Sequence, residues 1–88
     1  MDMTADAYKT ETLPVGGSFH LRTGKDWIIY AGLVNEETYS IVQMKMRGYQ
    51  GYAWNLYFPR RQQDIIIDRV PLHVVRADAG AIEIRAAR

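Results

Sequence analysis

Two neighbouring runs constrain this chain more than anything else in it: Thr38-Tyr-Ser-Ile-Val-Gln-Met-Lys-Met-Arg47 and Gly51-Tyr-Ala-Trp-Asn-Leu-Tyr-Phe58. Only Gly48-Tyr49-Gln50 separates them. Strand side chains alternate between faces with period two, so interleaved runs joined by a short glycine-bearing link predict an antiparallel hairpin. With Gly48-Tyr49-Gln50 as the turn, Val42 stands opposite Leu56, Met44 opposite Trp54 and Met46 opposite Tyr52, which makes an apolar face. The other face then carries Ile41 with Tyr57, Gln43 with Asn55 and Lys45 with Ala53.

The rest of the chain reads as strands added to that pair. Pro14-Val-Gly-Gly17 is a turn, and Ser18–Arg22 a first strand. Asp26–Val34 is apolar on both parities, as in a strand covered on both faces, and Gly32 inside it signals a bulge or a close backbone approach. Asn35-Glu36-Glu37 turns the chain back, and setting Val34 against Thr38 pairs Tyr30 with Val42. Past the polar link 59–63 come a short strand, Asp64–Ile67, a tight turn at Asp68-Arg69, and a last hairpin around Ala77-Asp78-Ala79. There Val74 faces Ile82, Leu72 faces Ile84 and His73 faces Glu83. No window carries a 3.6-residue apolar stripe. The expected fold is all-β: an antiparallel meander of six to seven strands forming a compact barrel or sandwich. Residues 1–12 lack apolar periodicity and are expected to form a flexible tail, with one helical turn over Ala5–Tyr8; residues 13–88 form the single domain.

At 88 residues the chain holds one modest core, and with no cysteine neither a disulfide nor a thiolate metal site can brace it. Burial, helped by oligomerisation, has to supply the stability. No apolar run nears the roughly 20 residues that span a bilayer, and the start Met1-Asp-Met-Thr-Ala-Asp is polar and acidic. A soluble, cytoplasmic protein without a membrane partner is expected. The net charge of +1 falls short of the basic footprint of a DNA binder.

Groups that could carry chemistry are scattered. His20 and His73 lie in different strands, without metal-ligand spacing, and His73 beside Glu83 suits a solvated sheet face. Asp26, Glu36, Glu37, Asp64, Asp68 and Asp78 fall at turns, where short acids are favoured for local hydrogen bonding. Neither Ser18 nor Ser40 sits in a nucleophile elbow, and no glycine cluster forms a phosphate cradle. The reading is non-enzymatic, with no cofactor and no metal.

One cluster has binding character: Lys45, Arg47, Tyr49, Tyr52, Tyr57, Arg60 and Arg61. Cations between aromatics suit single-stranded RNA, since rings stack on bases while cations neutralise phosphates. The same rings also serve as core, with the cations as a solvated rim. Ile41 and Tyr57, paired on the supposedly outer face, point instead to an apolar contact with a second copy or another protein, as does any open sheet edge. Three functions follow. The first is an interaction module that self-associates or docks a protein partner through a sheet edge or the Ile41/Tyr57 face. The second is a single-stranded RNA-binding domain using Lys45, Arg47, Tyr49, Tyr57, Arg60 and Arg61. The third is a small-molecule-binding barrel.

Residues 56–86 also resemble the carbon storage regulator family of small RNA-binding β proteins. The likeness rests on Leu56-Tyr-Phe-Pro-Arg60-Arg61-Gln-Gln-Asp64, Val70-Pro-Leu-His-Val74 and Ala81-Ile82-Glu-Ile84. It implies an interleaved dimer in which Arg60 and Arg61 contact RNA. The chain departs from that pattern in a shorter turn at Asp68-Arg69, in Gln63 where a glycine stands, in lacking the C-terminal helix, and in the long segment before the matching first strand.

Overall fold

The computed structural model describes residues 8–21, 26–47 and 50–87. They contain eight strands in two antiparallel sheets and no helix. The chain opens on β1 (Tyr8–Pro14) and crosses through a turn to the front sheet. There β2 (Ser18–His20), β3 (Trp27–Asn35), β4 (Thr38–Arg47) and β5 (Gln50–Pro59) follow one another as a meander. It then returns to the back sheet as β6 (Asp64–Ile67), β7 (Val70–Ala77) and β8 (Ala81–Ala87), whose far side pairs with β1 to give the order β1-β8-β7-β6. The molecule is a slab of 39 × 37 × 19 Å, its short dimension matching two sheets ~10 Å apart. The sheets do not close into a barrel. No helix among the described residues is long and apolar enough to cross a membrane.

Residues 8–12, expected in a flexible tail, are strand. Thr10 pairs with Arg85, Thr12 with Glu83 and Leu13 with Ile82, and Leu13 is buried. One inward leucine beside threonines shows little periodicity alone, but the open side of β8 supplies a ladder that satisfies the segment's backbone. Residues 1–7, including Ala5–Ala7 of the expected helical turn, lie outside the described residues.

The core lies between the sheets. Leu21, Ile28, Tyr30, Tyr39 and Ile41 come from the front, and Ile65, Ile67, Val70, Leu72, Val74, Ala77, Ile82 and Ile84 from the back. At roughly 1.5–3 kcal/mol per fully buried aliphatic side chain, this interior is what holds the slab together.

The central hairpin forms with a register one residue off the expected one. Arg47 pairs with Gln50, so two residues rather than three connect the strands, and the ladder runs without a break through Met44↔Ala53 and Ile41↔Leu56 to Thr38↔Pro59. A one-residue slip exchanges the faces. Tyr39, Ile41 and Gln43 point inward, while Val42 and Met44 lie on the outer face with Asn55 and Ala53. β4 is apolar on both parities, so matching across the hairpin could not choose. Tyr39 fills the interior and its hydroxyl finds the Gln62 carbonyl at 3.1 Å, which Val42 could not do. A two-residue link is also the commonest hairpin connection.

β3, expected to be covered on both faces, is buried on its inner face alone: Trp27 and Val34 are 39% and 56% exposed, because among the described residues no layer packs on the outside of the front sheet. Elsewhere the inward faces are as expected and the partners shift. β3 and β4 pair with two irregularities, one at Tyr30/Gly32, where Gly32 has φ of 95° as a bulge glycine does. This sets Tyr30 against Ile41 instead of Val42, and Asn35 rather than Val34 against Thr38. In the last hairpin Val74 meets Ile84 and Ala77 meets Ile82, with a bulge between Val74 and Arg76. The inward set survives because the net displacement keeps parity. Asp68 and Arg69 both have positive φ, 51° and 65°, the signature of a type I′ turn.

Candidate interaction surface

One end of the sandwich is laced shut, and Arg60 is the lace. Its Nε donates to the Ala77 carbonyl at 2.9 Å, Nη1 to the Glu36 carbonyl at 3.1 Å and Nη2 to Asp78 Oδ1 at 3.1 Å. A guanidinium offers five donors in a rigid fork, which suits it to tying two turns and a strand end together. At the same end the Tyr30 hydroxyl donates to the Asp78 carbonyl at 2.6 Å, and the Val15 amide to the Gly80 carbonyl at 3.1 Å. Burial raises the Tyr30 hydroxyl pKa above its ordinary value, helped by Asp78 and opposed by Arg60. Burial, then the neighbouring Tyr30, pushes Tyr39 up to about 12. Arg61 is exposed beside Arg60, and the two share an open depression of about 510 Å³ with Glu36, Glu37, Thr38 and Pro59.

The inner side of β4 holds the most buried charge. Asp26 is 2% exposed. It accepts a hydrogen bond from Gln43 Nε2 at 2.6 Å and lies 3.8 Å from Lys45 Nζ. An unpaired carboxylate there would be costly, so these partners are what permit it. Lys45, expected on the outer face, is therefore a counter-ion.

The remaining residues of the expected cluster do not converge. Ile41 is 1% exposed and belongs to the core; it stands opposite Leu56, on the face opposite to Tyr57, so the Ile41/Tyr57 face does not exist. Tyr49 and the Arg47 side chain lie outside the described residues. Tyr57, 61% exposed, is on the outer face opposite Ser40. His73 contacts Asp64 at 3.0 Å instead of Glu83, which pairs with Arg76. His20 packs its ring on Trp27 at a centroid distance of 4.8 Å.

Two members of the expected cluster, Tyr52 and Tyr57, lie with Trp54 on one strand, β5. β5 is ten residues long and forms one edge of the front sheet. From Gln50 to Pro59 it contains no charged residue, and Tyr52, Trp54 and Tyr57 are 50%, 40% and 61% exposed. The other three edges are shielded in ways that discourage strand addition. β2 has three residues and β6 only four, while β1 carries Lys9 and Glu11 and ends in Pro14. The absence of charge over ten residues was visible in the sequence; that the strand is an edge was not.

Among the described residues β5 pairs with β4 alone, and its ladder fixes which backbone groups stay free. The Arg60 amide donates to the Glu37 carbonyl at 2.6 Å, one step beyond the Thr38–Pro59 pair. Hydrogen-bonded and non-hydrogen-bonded pairs alternate along an antiparallel ladder. The even-numbered residues of β5 therefore bond to β4. The N–H and C=O groups of Gly51, Ala53, Asn55 and Tyr57 point to the open side. Pro59, next in that series, has no N–H to offer.

No protein-family model matches the chain, and no curated protein or solved structure matches it either. Any functional reading rests on the geometry just described.

Proposed function

We propose that this protein is a non-enzymatic interaction module that docks protein by adding a strand to the free edge of β5. The observation that carries the reading is the contrast among the four edges: three are short or charged, and the fourth is long, uncharged and aromatic. Strand addition takes its affinity from main-chain hydrogen bonds and its selectivity from alternate side chains, and β5 offers both. The outer face beside it is apolar as well, with Trp27 paired to Met44 and Ile29 to Val42, and it widens the surface a partner can cover.

The single-stranded RNA reading draws less support from this arrangement. Arg60 is engaged with two carbonyls and a carboxylate, and Lys45 serves Asp26. A phosphate approaching Arg61 also meets Glu36 and Glu37.

Amide hydrogen exchange, followed residue by residue at low protein concentration, tests the docking edge. A minimal extended strand, the peptide Lys-Thr-Val-Thr-Val-Thr-Lys at millimolar concentration, is expected to slow exchange at Gly51, Ala53, Asn55 and Tyr57. Slowing confined to other strands, or none at these four amides, rejects the docking edge.

A further inference from the structure

The free groups of β5 are arranged so that the strand complements itself. We propose that the occupant of this edge is a second copy of the chain, its β5 antiparallel to the first, with Trp54 at the two-fold axis. The inference rests on reading β5 as a docking edge and names its partner and register.

Three features of β5 select that register. Only when Gly51 stands opposite Tyr57 of the second copy, and Ala53 opposite its Asn55, do all four outward residues meet outward residues. The strands then exchange about eight hydrogen bonds, two for each of four pairs. Sliding by one residue sets free groups against groups already bonded to β4. Sliding by two either leaves a residue unmatched or brings Pro59, which has no N–H, into the ladder.

Side-chain sizes favour the same arrangement. Residues directly opposite share a face. On the outer face Tyr57 lies over Gly51, where no side chain competes, and Asn55 faces Ala53. An aromatic ring covering a cross-strand glycine is a recognised stabilising pair in sheets. On the inner face Trp54 meets its own copy and Tyr52 meets Leu56. A two-fold axis brings together two strands of the same net charge, which repel unless that charge is zero, and residues 50–59 carry no charged side chain.

The contact is modest in extent. Three rings about half exposed offer roughly 300 Å² at ~200 Å² each, and the backbone strip adds to this. The total stays below the ~800 Å² per partner of a standard interface, so dissociation in the micromolar range is expected. Pairing makes one continuous sheet from the two front sheets, with both back sheets on the same side.

Because the chain has no cysteine, single thiols report the register directly. Opposed residues of a non-hydrogen-bonded pair have Cα atoms ~4.5 Å apart, within disulfide reach. Full-length Trp54→Cys is expected to oxidise in air to a covalent dimer. Should loss of the indole weaken pairing, a mixture of Ala53→Cys and Asn55→Cys chains is expected to cross-link where neither variant does alone. Ala53→Pro removes one outward N–H without touching the β4 ladder, and is expected to abolish the wild-type dimer in sedimentation velocity while leaving the circular dichroism spectrum unchanged.

A chain monomeric at hundreds of micromolar overturns the proposal and leaves the docking edge to the exchange experiment above. A dimer lost in Ala53→Pro with neither cross-link formed overturns the self-pairing register alone. A dimer indifferent to Ala53→Pro overturns pairing through β5, and the docking edge is then decided by the exchange experiment above.

Discussion

Tyr57 and Arg60 are three residues apart in the chain and stand in opposite situations. Arg60 sits at the laced corner with its side chain 41% exposed, and Tyr57 on the open edge is 61% exposed. Solvent exposure hardly separates them. Hydrogen-bond saturation does: the guanidinium has partners on three sides, whereas the backbone of Tyr57 shows an N–H and a C=O to the open side. A surface cation can be a piece of structure, and a surface tyrosine on an unfinished ladder is the better indicator of a partner.

The two outer faces repeat the contrast. The back sheet presents Asp64 with His73, and Arg76 with Glu83 and Asp78, around a lone exposed isoleucine, Ile66, at its β6 edge. The front sheet presents Trp27, Ile29, Val42 and Met44. A charged face with satisfied pairs suits water; an apolar face next to an open edge suits contact.

Substitutions can sharpen or break this division between structure and surface. The largest effect is expected for Ile41→Glu, which drives a carboxylate into the core. A loss of about 4 kcal/mol or more should leave the chain unfolded in urea titrations, whereas an Ile41 that tolerated Glu would place the core elsewhere. Arg60→Ala should cost about 1–2 kcal/mol, mostly from carbonyls left without donors, since its exposed ion pair contributes little. Arg60→Lys should recover less than half of that, because an ammonium cannot fork between Ala77 and Glu36. A wild-type melting temperature in either variant would remove the corner from the account.

Tyr39 gives the next effect. Its folded-state pKa of about 12 exceeds the ordinary value of 10.0. The folded state thus holds the phenolic proton more tightly than the unfolded chain does. Stability from this group is complete below pH 10 and fades as the pH rises towards 12. Tyr39→Phe should cost about 1 kcal/mol at neutral pH through the lost bond to Gln62, and should flatten the alkaline limb of the stability profile. An unchanged alkaline limb would assign that loss to other groups.

Arg69→Gly should add about 0.5–1 kcal/mol, since glycine enters the left-handed region without the strain that Arg69 bears at φ of 65°. Smallest is Tyr57→Glu, within about 0.5 kcal/mol of wild type in stability. Its consequence lies in association, which a charge on the edge strand should weaken. A variant that unfolds, or one that associates as before, would erase the contrast with Arg60.

Much of this fold was legible in the residues. The strand positions from Thr38 onward, the bulge at Gly32, the tight turn at Asp68-Arg69 and the inward set Leu72, Val74, Ile82 and Ile84 follow from period-two patterning and turn chemistry. The candidate site was less legible. Lys45 and Arg60 stand out by residue type, which does not reveal what a side chain touches, and Ile41 by an expected register that the hairpin does not adopt. β5 itself was in plain view, but its importance depends on which strands neighbour it.

What the sequence determined alone is the local alternation that makes strands, because side-chain direction within a strand is set by the backbone of that strand. Register and edge identity were settled only when the sheets packed. Where both parities are apolar, as in β4, the choice between Ile41 and Val42 falls to the opposing sheet and to distant partners such as the Gln62 carbonyl. A strand becomes an edge only by the absence of a neighbour, and no pattern within its own ten residues can encode that.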